Sequence, residues 1–179
     1  MLRKLVSVSC LFLFAGAVAL VSAPKKESPA ELNLVDMDGK KVHLKDYRGK
    51  IVVLNFWATW CGPCKDEMPM FVEVEKAWTP KGVVFIGASL DDKKTVSAIP
   101  EFIRKYKIDF PVWTGTTGDD LEKLKMGQAV PDTAFIDESG VIISRVQGEI
   151  KKGELLERLE WLCGDKKGPA PLALVHNLP

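Results

Sequence analysis

Seven nearly continuous apolar residues, Ile51–Trp57, run almost directly into Trp60-Cys61-Gly62-Pro63-Cys64. A strand this apolar must be covered on both faces, so it belongs at the centre of a sheet with helices packed over it. The residues after the cysteines read as a helix to about Trp78, closed by Thr79-Pro80. A helix that opens at Cys61 turns its unpaired backbone N–H groups and positive dipole end toward that sulfur, which favours thiolate over thiol. Cys61 is therefore the expected nucleophile. Cys64 lies one turn deeper, shielded from partners but placed to attack a mixed disulfide formed by Cys61, so it is the expected resolving thiol.

Two other readings of the pair are weaker. Half a zinc site would need a second pair of ligands, and Cys10, Cys163, His43 and His176 are scattered singly, so no metal centre is expected. A purely structural disulfide closing so short a ring would constrain the unfolded chain little.

The N-terminus bears on compartment. Met1-Leu2-Arg3-Lys4 is a basic start, residues 5–23 are uncharged and mostly apolar, and Pro24-Lys25-Lys26-Glu27 returns to polar sequence. That is the form of a secretory signal. Ala17-Val18-Ala19 and Val21-Ser22-Ala23 are candidate cleavage patterns, with Pro24 awkward after the second. The apolar run also approaches the roughly 20 residues that span a bilayer, so residues 1–23 read as a signal peptide or an N-terminal membrane anchor. Either places the remainder outside the cytoplasm, in a periplasm or on the outer face of the cytoplasmic membrane. The exported part then holds three cysteines, Cys61, Cys64 and Cys163. Cys163 closes an apolar stripe with Leu155, Leu156, Leu159 and Leu162 and reads as a small buried residue. Lys and Arg number 25 against 24 Asp and Glu, so nothing marks a nucleic-acid surface.

Past the leader, residues 24–164 make one domain, followed by a Lys-, Gly- and Pro-rich tail over 165–179 in which Pro171-Leu172-Ala173-Leu174-Val175 has the character to dock. Residues 32–35 and 41–44 flank an Asp-Gly turn and predict a hairpin. A second buried strand is expected at 83–88, a helix at 99–106, a short strand at 110–113 and a helix at 121–126 capped by Thr117. Residues 133–136 and 141–146 bracket Asp137-Glu138-Ser139-Gly140 as a second hairpin, and a helix over 152–162 ends at Gly164. Its Lys and Glu residues read as a solvated face, and the two histidines as surface residues.

Residues 55–65, Asn-Phe-Trp-Ala-Thr-Trp-Cys-Gly-Pro-Cys-Lys, resemble the thioredoxin superfamily, in particular its exported TlpA, ResA and CcmG branch, and the likeness extends over residues 32–163. It implies an α/β thioredoxin-like fold, a central mixed sheet flanked by helices, with an N-terminal β-hairpin and an inserted strand-helix segment. Val130-Pro131 matches the family's cis-proline loop, whose backbone pairs with the incoming peptide. The resemblance thus puts Trp60, Gly62, Pro63, Val130 and Pro131 against substrate. Pro69 is expected to kink the helix. Asn55 departs from cytoplasmic thioredoxins, which hold a proton-carrying carboxylate there. Glu67, one turn after Cys64, is the branch's replacement, and burial near a developing thiolate would raise its pKa toward neutrality.

The activity implied is thiol-disulfide exchange, with the Cys61-Cys64 dithiol carrying the electrons and no separate cofactor. Substrates would be protein disulfides, such as those of apocytochrome c or a copper-centre assembly protein, and an integral-membrane thiol donor would recharge the pair. Gly62-Pro63 favours reduction over the alternative of a general disulfide oxidase or isomerase. A peroxidase is disfavoured by Cys64 and a missing upstream proline. A copper carrier is disfavoured by CxxC spacing and by the absence of a histidine near Pro131.

Overall fold

The computed structural model describes residues 27–176, so the signal or anchor expected over 1–23 lies outside the described residues. Strand β3, Ile51–Trp57, is buried at every position and lies between two others. On one side it pairs in parallel with β4, Val83–Ser89, from Ile51 opposite Val83 to Trp57 opposite Ser89. On the other it pairs antiparallel with β6, Asp132–Ile136. The hairpin partner of β6 is β7, Ile142–Gln147. Beyond β4 come β5, Val112–Thr114, in parallel, then β1, Asn33–Asp36, and β2, Lys41–His43, both antiparallel to their neighbours.

Helix α1, Gly62–Trp78, follows β3, with a proline in its first turn where the missing N–H costs nothing. It continues through Pro69 and packs on β4 and on α2, Ile99–Tyr106. Trp57 is fully buried and stacks on Phe102 at 4.5 Å between ring centroids, joining the central strand to α2. Gly87 opposite Asn55 admits the Trp57 ring, since a Cβ there would stand 2.8 Å from its Nε1. Helix α3 occupies Gly118–Lys123, earlier than the expected 121–126. The Thr117 hydroxyl caps the Asp120 N–H and the Asp120 carboxylate returns to the Thr117 N–H, which fixes the start, and left-handed Lys125 breaks the continuation.

Two departures from the sequence reading lie at the C-terminal end. Helix α4, Lys152–Cys163, buries Leu155, Leu159 and Leu162, but Cys163 is exposed. It is the last residue of the helix, where periodicity still points inward but nothing lies over it. The charged face of α4 is interrupted as well. Arg158 is 2% exposed, and its guanidinium donates to Ser144 Oγ at 3.0 Å and to the carbonyl of Leu172 at 2.6 Å. The tail docks there: β8, Leu174–Val175, adds to β7 in parallel and completes an eight-stranded sheet.

Candidate active site

Parallel strands β3 and β4 end side by side, and the chain leaving β3 turns sharply into α1. Asp91, just past β4, holds that turn by accepting from Thr59 N at 2.8 Å, Thr59 Oγ1 at 2.5 Å and Ser89 Oγ at 2.7 Å. The Cys61 N–H donates to Ala58 O at 3.2 Å, which closes the turn. Cys61 thereby becomes the N-cap of α1, with extended backbone, and its sulfur accepts from the Cys64 N–H at 3.1 Å. A thiolate at this atom would receive the same N–H and the end of the helix dipole. Cys61 and Cys64 are joined in a disulfide. Cys61 is 4% exposed and Cys64 0%, so only a narrow opening reaches the first sulfur.

The wall of that opening comes from the loop before β6. The Val130-Pro131 peptide is cis, and the Val130 carbonyl oxygen stands 3.5 Å from Cys61 Sγ. Val130 and Pro131 are buried, Pro63 is half-buried, and Gly62 is exposed. Trp60 is 58% exposed.

On the same helix, one turn past Cys64, a carboxyl is enclosed by the sheet and the loop after β7. Glu67 is 2% exposed. Its Oε1 accepts from Asn55 Nδ2 at 2.9 Å and its Oε2 from the backbone N–H of Ile150 at 3.1 Å. Asn55 Nδ2 also donates to Thr133 Oγ1 at 3.2 Å, while Asn55 Oδ1 has no partner among the described residues. Burial raises the Glu67 pKa to about 8; the two donors oppose this, and the charges of Glu149 and Asp132 add to it. Neighbouring Asp66 is exposed.

Asp132 is a second buried carboxylate, directly after Pro131, and the sequence reading did not single it out. It is 0% exposed and accepts from Gly127 N at 2.6 Å and Gly148 N at 3.1 Å. Burial lifts its pKa to about 6, against those two donors. Burial thus pushes both carboxyls upward, Glu67 further than Asp132, so Asp132 gives up its proton at lower pH than Glu67. Its position immediately after a family-matched proline was the available signal. Asp91 was equally unmarked, because its partners lie in a loop 32 residues away.

A dithiol at a helix terminus, set in a sheet of this order beside a proline loop, defines a thioredoxin-like thiol-disulfide oxidoreductase. Comparison with known proteins narrows the class. The AhpC/TSA family matches residues 22–145. The thiol-disulfide oxidoreductase ResA of Bacillus cereus is 34% identical over 168 residues, covering 88% of this chain and 95% of the relative. Among solved structures, DsbF of MTB is 31% identical with a TM-score of 0.64, covering 73% of this chain and 94% of that one. The exposed lipoprotein thioredoxin Etrx1 of Streptococcus pneumoniae is 29% identical with a TM-score of 0.61, covering 74% and 100%. The chain belongs to the AhpC/TSA family and, within the thioredoxin superfamily, to its ResA-like thiol-disulfide oxidoreductases.

Proposed function

We propose that this oxidoreductase works outside the cytoplasmic membrane as a reductant of protein disulfides. The Cys61 thiolate attacks one sulfur of the substrate disulfide, forming a mixed disulfide and releasing one substrate thiolate. Cys64 then gives up its proton and attacks Cys61 Sγ, which releases the second substrate thiolate and leaves the Cys61-Cys64 disulfide. Glu67 takes that proton in its ionised form, whose share grows as pH rises toward its pKa of about 8. Trp60, Gly62, Pro63, Val130 and Pro131 meet the substrate chain, and the electrons travel on the two sulfurs with no separate cofactor.

The observation that carries the reducing direction is the Gly62-Pro63 dipeptide between the cysteines, which is shared with the thioredoxins that the chain resembles. The location rests on the residues 1–23 pattern and on the likeness to an exposed lipoprotein thioredoxin. Among the described residues no helix is long and apolar enough to cross a membrane, so any anchor belongs to that leader, with residues 24–164 as the working domain. The substrates proposed are cysteine pairs of apocytochrome c or of a copper-centre assembly protein, with an integral-membrane thiol donor restoring the dithiol.

The reduction potential tests the direction: a value near thioredoxin's, about −270 mV, is expected, and one near about −120 mV would assign oxidation instead. Trapping mixed disulfides in cells with Cys64→Ser, and identifying what is bound to Cys61, tests the substrate class.

A further inference from the structure

The tail that docks beside β7 touches the same loop that helps enclose Glu67. The His176 N–H donates to Gln147 O at 2.8 Å, extending the β7–β8 ladder to the edge of Gly148. Gly148 lies directly beneath the tail, since a Cβ there would stand 3.0 Å from His176 Cβ and 3.1 Å from His176 O. Its φ of 89° is open to glycine and strained for other residues. From its other side, Gly148 N reaches Pro131 O at 2.8 Å and Asp132 Oδ1 at 3.1 Å. Two residues on, Ile150 N donates to Glu67. The 148–150 loop is therefore clamped between the tail and the active site.

The anchorage of the tail is built into the core. Buried Arg158 and Ser144 both donate to the carbonyl of Leu172, at 2.6 and 3.2 Å. The side chains of Leu172 and Val175 remain 79% and 74% exposed, so apolar burial of these two does not hold the segment. Backbone bonds and the guanidinium do, together with Leu174, which packs against the core. Arg158 also donates to Ser144 Oγ and Glu154 O, so loss of the tail carbonyl would leave one of its buried N–H groups without this partner.

We propose that residues 172–176 form a positioning element of the active site, holding the 148–150 loop where it donates to Glu67 and Asp132 and shuts water away from them. This rests on the reading of Glu67 as the proton-exchanging group. The charged and titratable groups around Glu67 are Asp132 from β6, Glu149 and Lys151 from the loop after β7, and the two cysteines of its own helix region. Burial raises the Glu67 pKa more than the Ile150 N–H lowers it, so releasing the loop, which admits water and withdraws that donor, moves the titration downward.

The test compares four full-length proteins, wild type, His176→Pro, His176→Ala and Glu67→Gln, with a chain ended after Gly168 and with that truncation combined with Glu67→Gln. His176→Pro removes the N–H that meets Gln147; His176→Ala keeps it while losing the imidazole that stands 3.2 Å from Glu154. The readout is the pH profile of disulfide reduction at a temperature where all are folded. Truncation and His176→Pro should move the Glu67-dependent inflection down by about half a pH unit or more, roughly a threefold change in proton affinity. His176→Ala should stay close to wild type, and truncation should add nothing in the Glu67→Gln background. If truncation and His176→Pro leave the inflection where it was while Glu67→Gln removes it, the tail has no positioning role. If Glu67→Gln itself leaves the profile unchanged, the reading of Glu67 is what fails.

Discussion

Asn55 Nδ2 donates to Glu67 Oε1 across 2.9 Å, tying the central strand to the cysteine-bearing helix. An amide on the central strand thus holds a buried carboxyl on the helix. Glu67→Gln should slow exchange and flatten the inflection near pH 8 in its rate profile. Superimposable profiles would return Glu67 to a packing role.

The same residue makes a stability prediction with a definite sign. Its folded pKa of about 8 lies above the ordinary 4.5, so its contribution is full below about 4.5 and is lost as pH rises through about 8. The oxidised wild type should therefore weaken relative to Glu67→Gln between pH 5 and 9, by an amount on the order of a few kcal/mol at most. Urea unfolding of both proteins at several pH values measures it.

Cys61 and Cys64 differ in access and in their relation to the helix end. In the reduced protein near neutral pH, iodoacetamide should label Cys61 at least about tenfold faster than Cys64. Peptide mapping of the alkylated protein decides this, and equal labelling would reverse the roles given to the two sulfurs.

Asp132→Asn presents an NH2 group to one of two backbone donors, Gly127 N and Gly148 N, and leaves that donor unpaired. A loss of about 1–3 kcal/mol is expected. The wild-type carboxyl has a raised pKa of about 6, so its favourable share fades as pH rises through that value and the deficit of the variant should shrink from acid to neutral pH. A deficit that grows instead would place the carboxyl's titration below its ordinary range.

Gly87→Ala would put a methyl 2.8 Å from Trp57 Nε1 and 3.2 Å from Phe110. Overpacking of this kind costs about 1–3 kcal/mol, read as a lowered urea midpoint with unchanged slope.

What the sequence made legible was whatever depends on neighbours along the chain. The unbroken apolar run of β3, the helix opening at Cys61, the hairpin around Asp36 to Gly39 and the cap at Thr117 are local, and the structure has each of them. Periodicity misled at Cys163 because it reports which way a residue points and not whether anything covers it. Arg158 resembled its solvated neighbours, and only the returning tail explains its burial. Asp91 and Asp132 gained meaning from loops they meet in space, which no spacing in the sequence encodes.

The redox bond and its proton environment are put together on different scales. The disulfide spans 3 positions in the chain, whereas the contacts that enclose the acid join residues 78 and 83 apart. The two thiols are thus brought together by local sequence alone, and the partners of Glu67 only by long-range contacts. The tuned reagent comes into being when β6 and the loop after β7 dock against β3 and α1, one of the slower kinds of contact to form. The disulfide can therefore close without the rest of the fold, whereas the enclosure of Glu67 requires that distant parts of the chain have met.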